Sequence, residues 1–293
     1  MDEIREFLTS RRARITPDQA GLPAYGGNRR VKGLRREEVA LLAGVSVDYY
    51  VRLERGNLSG ASDSVLDGVA RALQLDDAER EHLFDLARRT TASATARRRP
   101  PARKLRPALQ HMLDAIGDAP AWIRNDRFDL VATNSLARAL YSPLLADPRR
   151  PANTARFIFL DPAAQEFFGD WKKAADDVAG MLRAEAGRNP YDKDLSDLIG
   201  ELSTRSEVFR RRWANHNVRY HRTGTKRFHH PAVGDLELHF ESMALTSEPG
   251  FTLVIYTATP GTPSADGLRL LAAWGATEDQ HDPARPLPRS RDT

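Results

Sequence analysis

The sequence predicts two domains in tandem: an all-α domain of five short helices, then an α+β domain built on an antiparallel sheet. Three observations lead there. Over residues 2–87 apolar side chains recur at spacings of three and four, the period of short amphipathic helices. Residues 107–275 mix that period with alternating stretches such as "LELHFESMAL" and "FTLVIYTAT", which read as strands. Between them, "TTASATARRRPPARKLR" (90–106) has six basic residues, two prolines and no acid, a linker composition that cannot nucleate a core. At 293 residues, 41% apolar and 29% charged, the chain is long enough for two cores.

In the first domain, Ile4, Phe7, Leu8 and Arg11 form one helical stripe that breaks before Pro17. "ITPDQAGLPAYGGNRRVKG" then opens with a Thr16/Gln19 capping box and dissolves into glycines, so it holds at most one helical turn in a basic loop. In "LRREEVALLAG", Leu34, Val39 and Leu42 with small Ala40 and Ala43 face inward, and Gly44 ends the helix. Ser46 caps the next helix, with Tyr50 and Leu53 on one face and Asp48, Tyr49, Arg52 and Arg55 on the other. A fourth helix starts near Ser62 and buries Leu66, Val69, Ala70 and Leu73. A fifth opens with the box Asp76/Glu79 and buries Leu83, Phe84, Leu86 and Ala87.

In the second domain a helix over 107–116 leads to a hairpin of Ala121–Ile123 and Phe128–Ala132 around "RND". Helices fill most of 134–216, one of them opened by Asp161 and Pro162. After "RTGT" come a weak strand, "KRFHHP", and two strong ones. Leu236, Leu238 and Phe240 alternate with Glu237, His239 and Glu241, as in a sheet covered on one face, whereas "FTLVIY" is apolar on both faces and belongs at the centre. A last helix from Ser264 buries Leu268, Leu270 and Leu271, and residues 276–293 are expected to be disordered.

Charge and composition narrow the function. Residues 11–36 hold eight cations against Asp18, while 62–87 hold seven acids against Arg71 and Arg80. One end of the first domain is therefore electropositive, which orients a polyanion toward it. The absence of cysteine excludes disulfides, thiolate metal sites and a Cys nucleophile, and fits a reducing compartment. With no apolar leader at the N-terminus and no run near the roughly 20 apolar residues of a membrane span, a cytoplasmic protein without a membrane partner is expected. His216, His221, His229, His230 and His239 lack zinc-ligand spacing, and neither a GxSxG elbow nor a phosphate loop after a strand occurs, so no metal, cofactor or catalytic residue is assigned.

Two helices joined by a tight turn, "REEVALLAGVSVDYYVRL", have the form of a helix-turn-helix. Through Leu34, Glu38, Ala40, the "GVS" turn, Tyr50, Leu53 and "ERG", the stretch resembles lambda-repressor-like, XRE-type DNA-binding domains. That resemblance implies that Val47, Asp48 and Arg52 face base edges in the major groove and that Arg36, Ser46 and Tyr49 hold phosphates of double-stranded DNA. The helical wheel leaves the same side chains of this helix outward, and the amides at Ser46 suit a phosphate. The alternative for Arg52 is an exposed ion pair with Asp48 four residues earlier.

Together with "DRFDLVATN", "GELSTRSEVFRRRWANHNV", "GTKRFHHPAVGDLELHFE" and "LVIYTATPGTPSADGLRLLA", the motif makes nearly the whole chain resemble the MmyB-like bacterial transcription regulators. The family implies a PAS-like sensory domain behind the helix-turn-helix, holding an apolar small molecule such as a fatty acid. This chain departs at Thr133, where the family usually places a Trp, and at Asn217, where an acid is usual. A pocket of apolar walls with few polar anchors draws on Trp122, Phe157, Phe168, Trp171, Trp213 and Tyr256 as walls and on Asn134, His216, Arg227 and His229 as anchors. The expected protein is a homodimeric, effector-responsive regulator on an inverted-repeat operator. An enzyme with a helical targeting module and a ligand-free interaction adaptor are the alternatives.

Overall fold

The computed structural model describes residues 2–22, 31–58, 60–91, 105–146, 152–217 and 222–281. Its spatial division does not follow the linear one. The first compact unit joins Met1–Arg98 with Arg183–Asp192 and Arg211–Tyr220, and the second comprises Arg99–Leu182, Lys193–Arg210 and His221–Thr293. Two short stretches expected in the second domain thus belong to the first unit. The expected linker lies outside the described residues over 92–104, and the expected tail lies outside them over 282–293.

The first unit carries the five predicted helices, α1 Asp2–Arg14, α2 Arg36–Ala43, α3 Val47–Glu54, α4 Asp63–Ala72 and α5 Asp77–Thr91. Three of the starts have the caps their sequences promised. Ser46 accepts from the Tyr49 amide at 3.2 Å, Ser62 from Val65 at 3.4 Å, and Asp76 and Glu79 exchange bonds of 2.8 and 3.3 Å. Phe7, Leu8, Leu34, Val39, Tyr50, Leu53, Leu66 and Leu83 close one core. Arg11 is buried with its stripe, ion-paired to Glu79 at 2.8 Å and donating to the His216 carbonyl at 2.5 Å. Burial outweighs the attraction of Glu79 and pushes the guanidinium down to about 10.

Two residues expected inside are not. Leu42 is 36% exposed beside Leu41 at 73%, because α2 spans only eight residues and its packed stripe is taken up by Val39 and Ala40. Phe84 is only partly buried, under the Arg80 guanidinium at 4.7 Å. Helix α2 ends at Gly44, whose φ of 69° is a left-handed conformation that costs glycine nothing, and it crosses α4 closely at Gly68. A Cβ at Gly68 would stand 2.6 Å from the Ala43 carbonyl oxygen.

The second unit contains α6 Pro107–Asp114, β1 Ala121–Asn125, β2 Leu130–Thr133, α7 Ser135–Leu140, α8 Ser142–Leu145, α9 Thr154–Leu160 and α10 Ala163–Phe167. It continues through part of α11 Trp171–Arg188, all of α12 Lys193–Arg205 and part of α13 Glu207–Ala214 to β3 Thr223–His230, β4 Gly234–Ala244, β5 Phe251–Thr257 and α14 Pro263–His281. The five strands form one antiparallel sheet in the order β2-β1-β5-β4-β3, with β5 at the centre as its two-sided apolarity predicts. On one side of the sheet, Ala121, Ile123, Ala132 and Leu253 pack under Leu109 and Leu113 of α6.

The hairpin is displaced from its expected bounds because the turn is longer. Asn125 accepts from the amides of Arg127 and Asp129, and Phe128 takes a φ of 67° before β2 begins. Helix α14 runs through 276–281, which the composition had assigned to a disordered tail, and Leu270 is 63% exposed while Leu268 and Leu271 are buried. Leu268 and Leu271 are three apart on one face, and Leu270 falls off it. No helix among the described residues is long and apolar enough to cross a membrane.

The crossing at Gly68 has no slack, so Gly68→Ala should overpack it and cost about 1–3 kcal/mol. Urea unfolding of variant and parent, compared at constant m-value, measures that cost.

Candidate functional site

The exposed side of α3 is built by what its other side buries. Tyr50, Leu53 and Glu54 are 0, 1 and 1% exposed. Glu54 is a carboxylate taken fully out of water, which is tolerable only with charged partners. Arg12 of α1 supplies its Nε at 2.8 Å, Arg36 of α2 closes on the other carboxylate oxygen, and Thr9 contributes a hydroxyl at 3.5 Å. One side chain thereby ties α3 to both α1 and α2. Burial foremost, then Glu54, pushes the Tyr50 phenol well above its ordinary range, so it stays neutral.

With that side fixed, Ser46, Val47, Asp48 and Arg52 are exposed, Val47 at 41%. Tyr49 is partly buried against the edge of the core, and its ring carries the Arg52 guanidinium at 4.6 Å. The Asp48 ion pair considered for Arg52 is not formed among the described residues; cation–π stacking takes its place, worth about 0.5–1 kcal/mol at an exposed site. Arg36 is half-exposed while paired to Glu54.

In the second unit, the side of the sheet away from α6 meets α9, α10 and α11 around a small cavity. Trp122 and Arg124 of β1, Val254 and Tyr256 of β5, Phe240 and Ser242 of β4 and Lys226 of β3 line it from the sheet. Phe128, Tyr141, Thr154, Ile158, Phe168, Val178 and Met181 complete it. The free volume is about 30 Å³, on the order of one water molecule. A second, open cleft of about 360 Å³ is lined by Asp170, Lys173, Asp177, Arg227 and Glu237, and shares Phe168 and Lys226 with the cavity. Those two side chains stand between the two spaces.

Lys226 is partly buried, its ammonium 5.3 Å from the Phe240 ring centroid. Burial, opposed by Asp177 and reinforced by Lys173 and Arg124, pushes it down to about 8. Tyr141 and Tyr256, fully buried, join hydroxyls at 2.8 Å. Burial pushes Tyr141 well above the ordinary phenol range and Tyr256 up to about 12.

The residues named from the sequence divide accordingly. Trp122, Phe168 and Tyr256 line the cavity, and Phe157 lies behind it against Phe167 and Phe168, with ring centroids 5.8 and 6.1 Å away. Asn134 does not line it: both ends of its amide are spent, accepting from Ala121 and Ala137 and donating to Ile116 and Ala119. Trp171, partly buried, donates to the Ile158 carbonyl at 2.9 Å from outside the lining. Trp213 and His216 fall in the first unit, where Trp213 lies 4.0 Å under Arg183 and His216 is held below its ordinary range by burial and then by Arg183. Arg227 faces the open cleft, and exposed His229 pairs with Asp235.

Lys226, Tyr141 and Arg124 were missed, although a signal for Lys226 existed. Phe228 and His230 are the inward residues of β3, and on a strand Lys226 must share their face while Arg227 and His229 take the other.

A helix-turn-helix stands in one chain with a sheet-and-helix domain that carries a cavity, the make-up of a ligand-responsive DNA-binding transcription regulator. Residues 105–271 match the MmyB-like transcription regulator ligand binding domain, and residues 4–83 match a helix-turn-helix domain. The chain belongs to the MmyB-like transcription regulators. No curated protein matches it.

Two outcomes test the site's physics. Glu54→Gln leaves Arg12 facing an uncharged amide and should destabilise the first unit by about 3 kcal/mol, read by urea unfolding. For Lys226, the folded state releases its proton near pH 8 while the unfolded chain keeps it to about 10.5. The unfolded state therefore binds more protons in that window, and stability rises with pH across it. Lys226→Met should remove that rise, measured as the difference in melting temperature between parent and variant at pH 7.5 and 9.5.

Proposed function

We propose that α3 is the recognition helix of a sequence-specific regulator, with Val47, Asp48 and Arg52 directed at base edges and Arg36, Ser46 and Tyr49 at phosphates. The observation that carries this reading is the division of α3 into a buried side pinned through Glu54 and a side on which Val47, Asp48 and Arg52 are open. A guanidinium stacked on Tyr49 is held at modest cost and is free to exchange the ring for a guanine edge. The amides at the Ser46 cap supply the positive end of a helix to a phosphate. Two copies of the chain bind an inverted repeat, since a single helix-turn-helix covers only a half-site.

The effector is an apolar small molecule bound in the cavity between Trp122, Phe168 and Tyr256. Its binding shifts the population of DNA-competent dimers, which requires different affinity for the two states. Walls that are mostly aromatic and aliphatic, with Arg124, Lys226, Thr154 and Ser242 as the polar exceptions, favour such a ligand over a polar metabolite.

Selection of DNA sites by the purified full chain tests the reading. It should enrich a two-fold symmetric sequence, and binding should weaken steeply with salt. Arg52→Ala should relax choice at one base pair in each half-site by about 1–3 kcal/mol while the fold persists, its stability lowered by no more than the roughly 0.5–1 kcal/mol of the stack on Tyr49. Recovery of random sequence by the parent, or the same preference in the variant, would count against Arg52 as a reader.

A further inference from the structure

The cavity proposed above as the effector site is apolar in its walls but one-sided in its hydrogen bonding. The Trp122 side chain is 4% exposed and its indole Nε1 has no hydrogen-bond partner. It acts on the Tyr256 hydroxyl as a hydrogen-bond donor would, favouring its ionised form, but the geometry falls short of a formed bond. Of the two hydroxyl hydrogens of Tyr141 and Tyr256, one is used between them and the other has no acceptor among the described residues. Trp122 and Tyr141 rings lie 5.5 Å apart, so the unused donors converge on one spot.

The other polar groups do not balance these donors. Arg124 and Lys226 can only donate, Thr154 is bonded to the Phe128 carbonyl, Ser242 can act either way, and no lining residue is acidic. An unmet buried donor costs about 1–3 kcal/mol, and an apolar hydrocarbon in the cavity would leave that cost standing. At that spot the unspent donors, an indole and a phenol, are neutral; Arg124 is stacked over the Phe128 ring at 4.5 Å and Lys226 is shared with the outer cleft.

We propose that the effector is an apolar molecule bearing a neutral carbonyl oxygen, a ketone, lactone or amide, which accepts from the Trp122 indole and the Tyr141–Tyr256 hydroxyl pair. The remaining free volume of about 30 Å³ is the size of that group rather than of the whole ligand, whose body enters as the aromatic walls part. Phe128, strained at a φ of 67° on the cavity wall, and Phe168, shared with the outer cleft, are the side chains placed to move. The proposal rests on the cavity being the effector site and adds what the effector must carry.

The test titrates the full chain with three molecules of one shape: acetophenone, α-methylstyrene, which replaces the carbonyl oxygen by CH₂, and benzoate. The protein has four tryptophans, and the Trp171 indole already donates to Ile158, so it serves as a reference in an NMR titration of indole N–H signals. Loss of a signal in Trp122→Phe assigns Trp122. Acetophenone is expected to bind on the order of 10- to 100-fold tighter than α-methylstyrene and to move the Trp122 indole proton downfield. Trp122→Phe and Tyr141→Phe should each erode that preference while leaving α-methylstyrene affinity in place.

Equal affinity for ketone and alkene, or a preference without movement of the Trp122 signal, overturns the carbonyl assignment and leaves the apolar cavity standing. Tightest binding by benzoate, lost in Lys226→Met, overturns it in favour of an anion at the rim. Failure of all three at millimolar concentration overturns it together with the apolar-effector reading.

Discussion

A carboxylate with 1% of its surface exposed cannot be left to itself, and the first unit is organised around meeting that demand at Glu54. Arg12 reaches it from α1, Arg36 from α2, and α3 carries it in its last turn. The same Arg12 also donates to the Leu34 carbonyl at 2.9 Å, so the entry to α2 is tied to α1 as well. A fixed ionic clasp on one side sets which residues are left on the other, and these are Val47, Asp48 and Arg52.

In the second unit the comparable constraint is strand parity. Successive residues on a strand face opposite ways, and β1 and β5 are buried on both sides. Ala121 and Ile123 go to the α6 side, while Trp122 and Arg124 go to the cavity; across the ladder Val254 pairs with Trp122 and joins it there. Lys226 follows by the same rule on β3. Placing a desolvated ammonium, two phenols and an indole on one face of a sheet makes the cavity a chemically biased space within an otherwise apolar wall. Thr133, at 0% exposure, lies outside this lining, and its carbonyl accepts from Gln110 of α6.

Much of this was legible. Ser46, Ser62 and the Asp76/Glu79 pair mark helix starts through bonds within three residues, and Gly44 marks an end, so five helices could be placed before any tertiary contact was known. The alternation of Leu236, Leu238 and Phe240 likewise announced β4. The cavity was legible only in part. Trp122, Phe168 and Tyr256 were found because large aromatics are obvious wall material, whereas Trp171, Trp213 and His216 share that chemistry and lie elsewhere. By residue type Asn134 suits a polar anchor, but its amide serves the backbone at the start of α7. Arg227 does too, but strand parity puts it on the face opposite Lys226.

The sequence by itself determined the five helices of the first unit, three of their caps and the two-sided character of α3, because periodicity and capping are settled between neighbours a few positions apart. Tertiary structure alone decided that Glu54 would be clasped by Arg12 and Arg36, that Arg183–Asp192 and Arg211–Tyr220 would join the first unit, and that Trp122, Tyr141 and Tyr256 would bring unspent donors to one point. The burial and bonding of a polar group depend on which distant segments close over it. No local pattern in the chain encodes that.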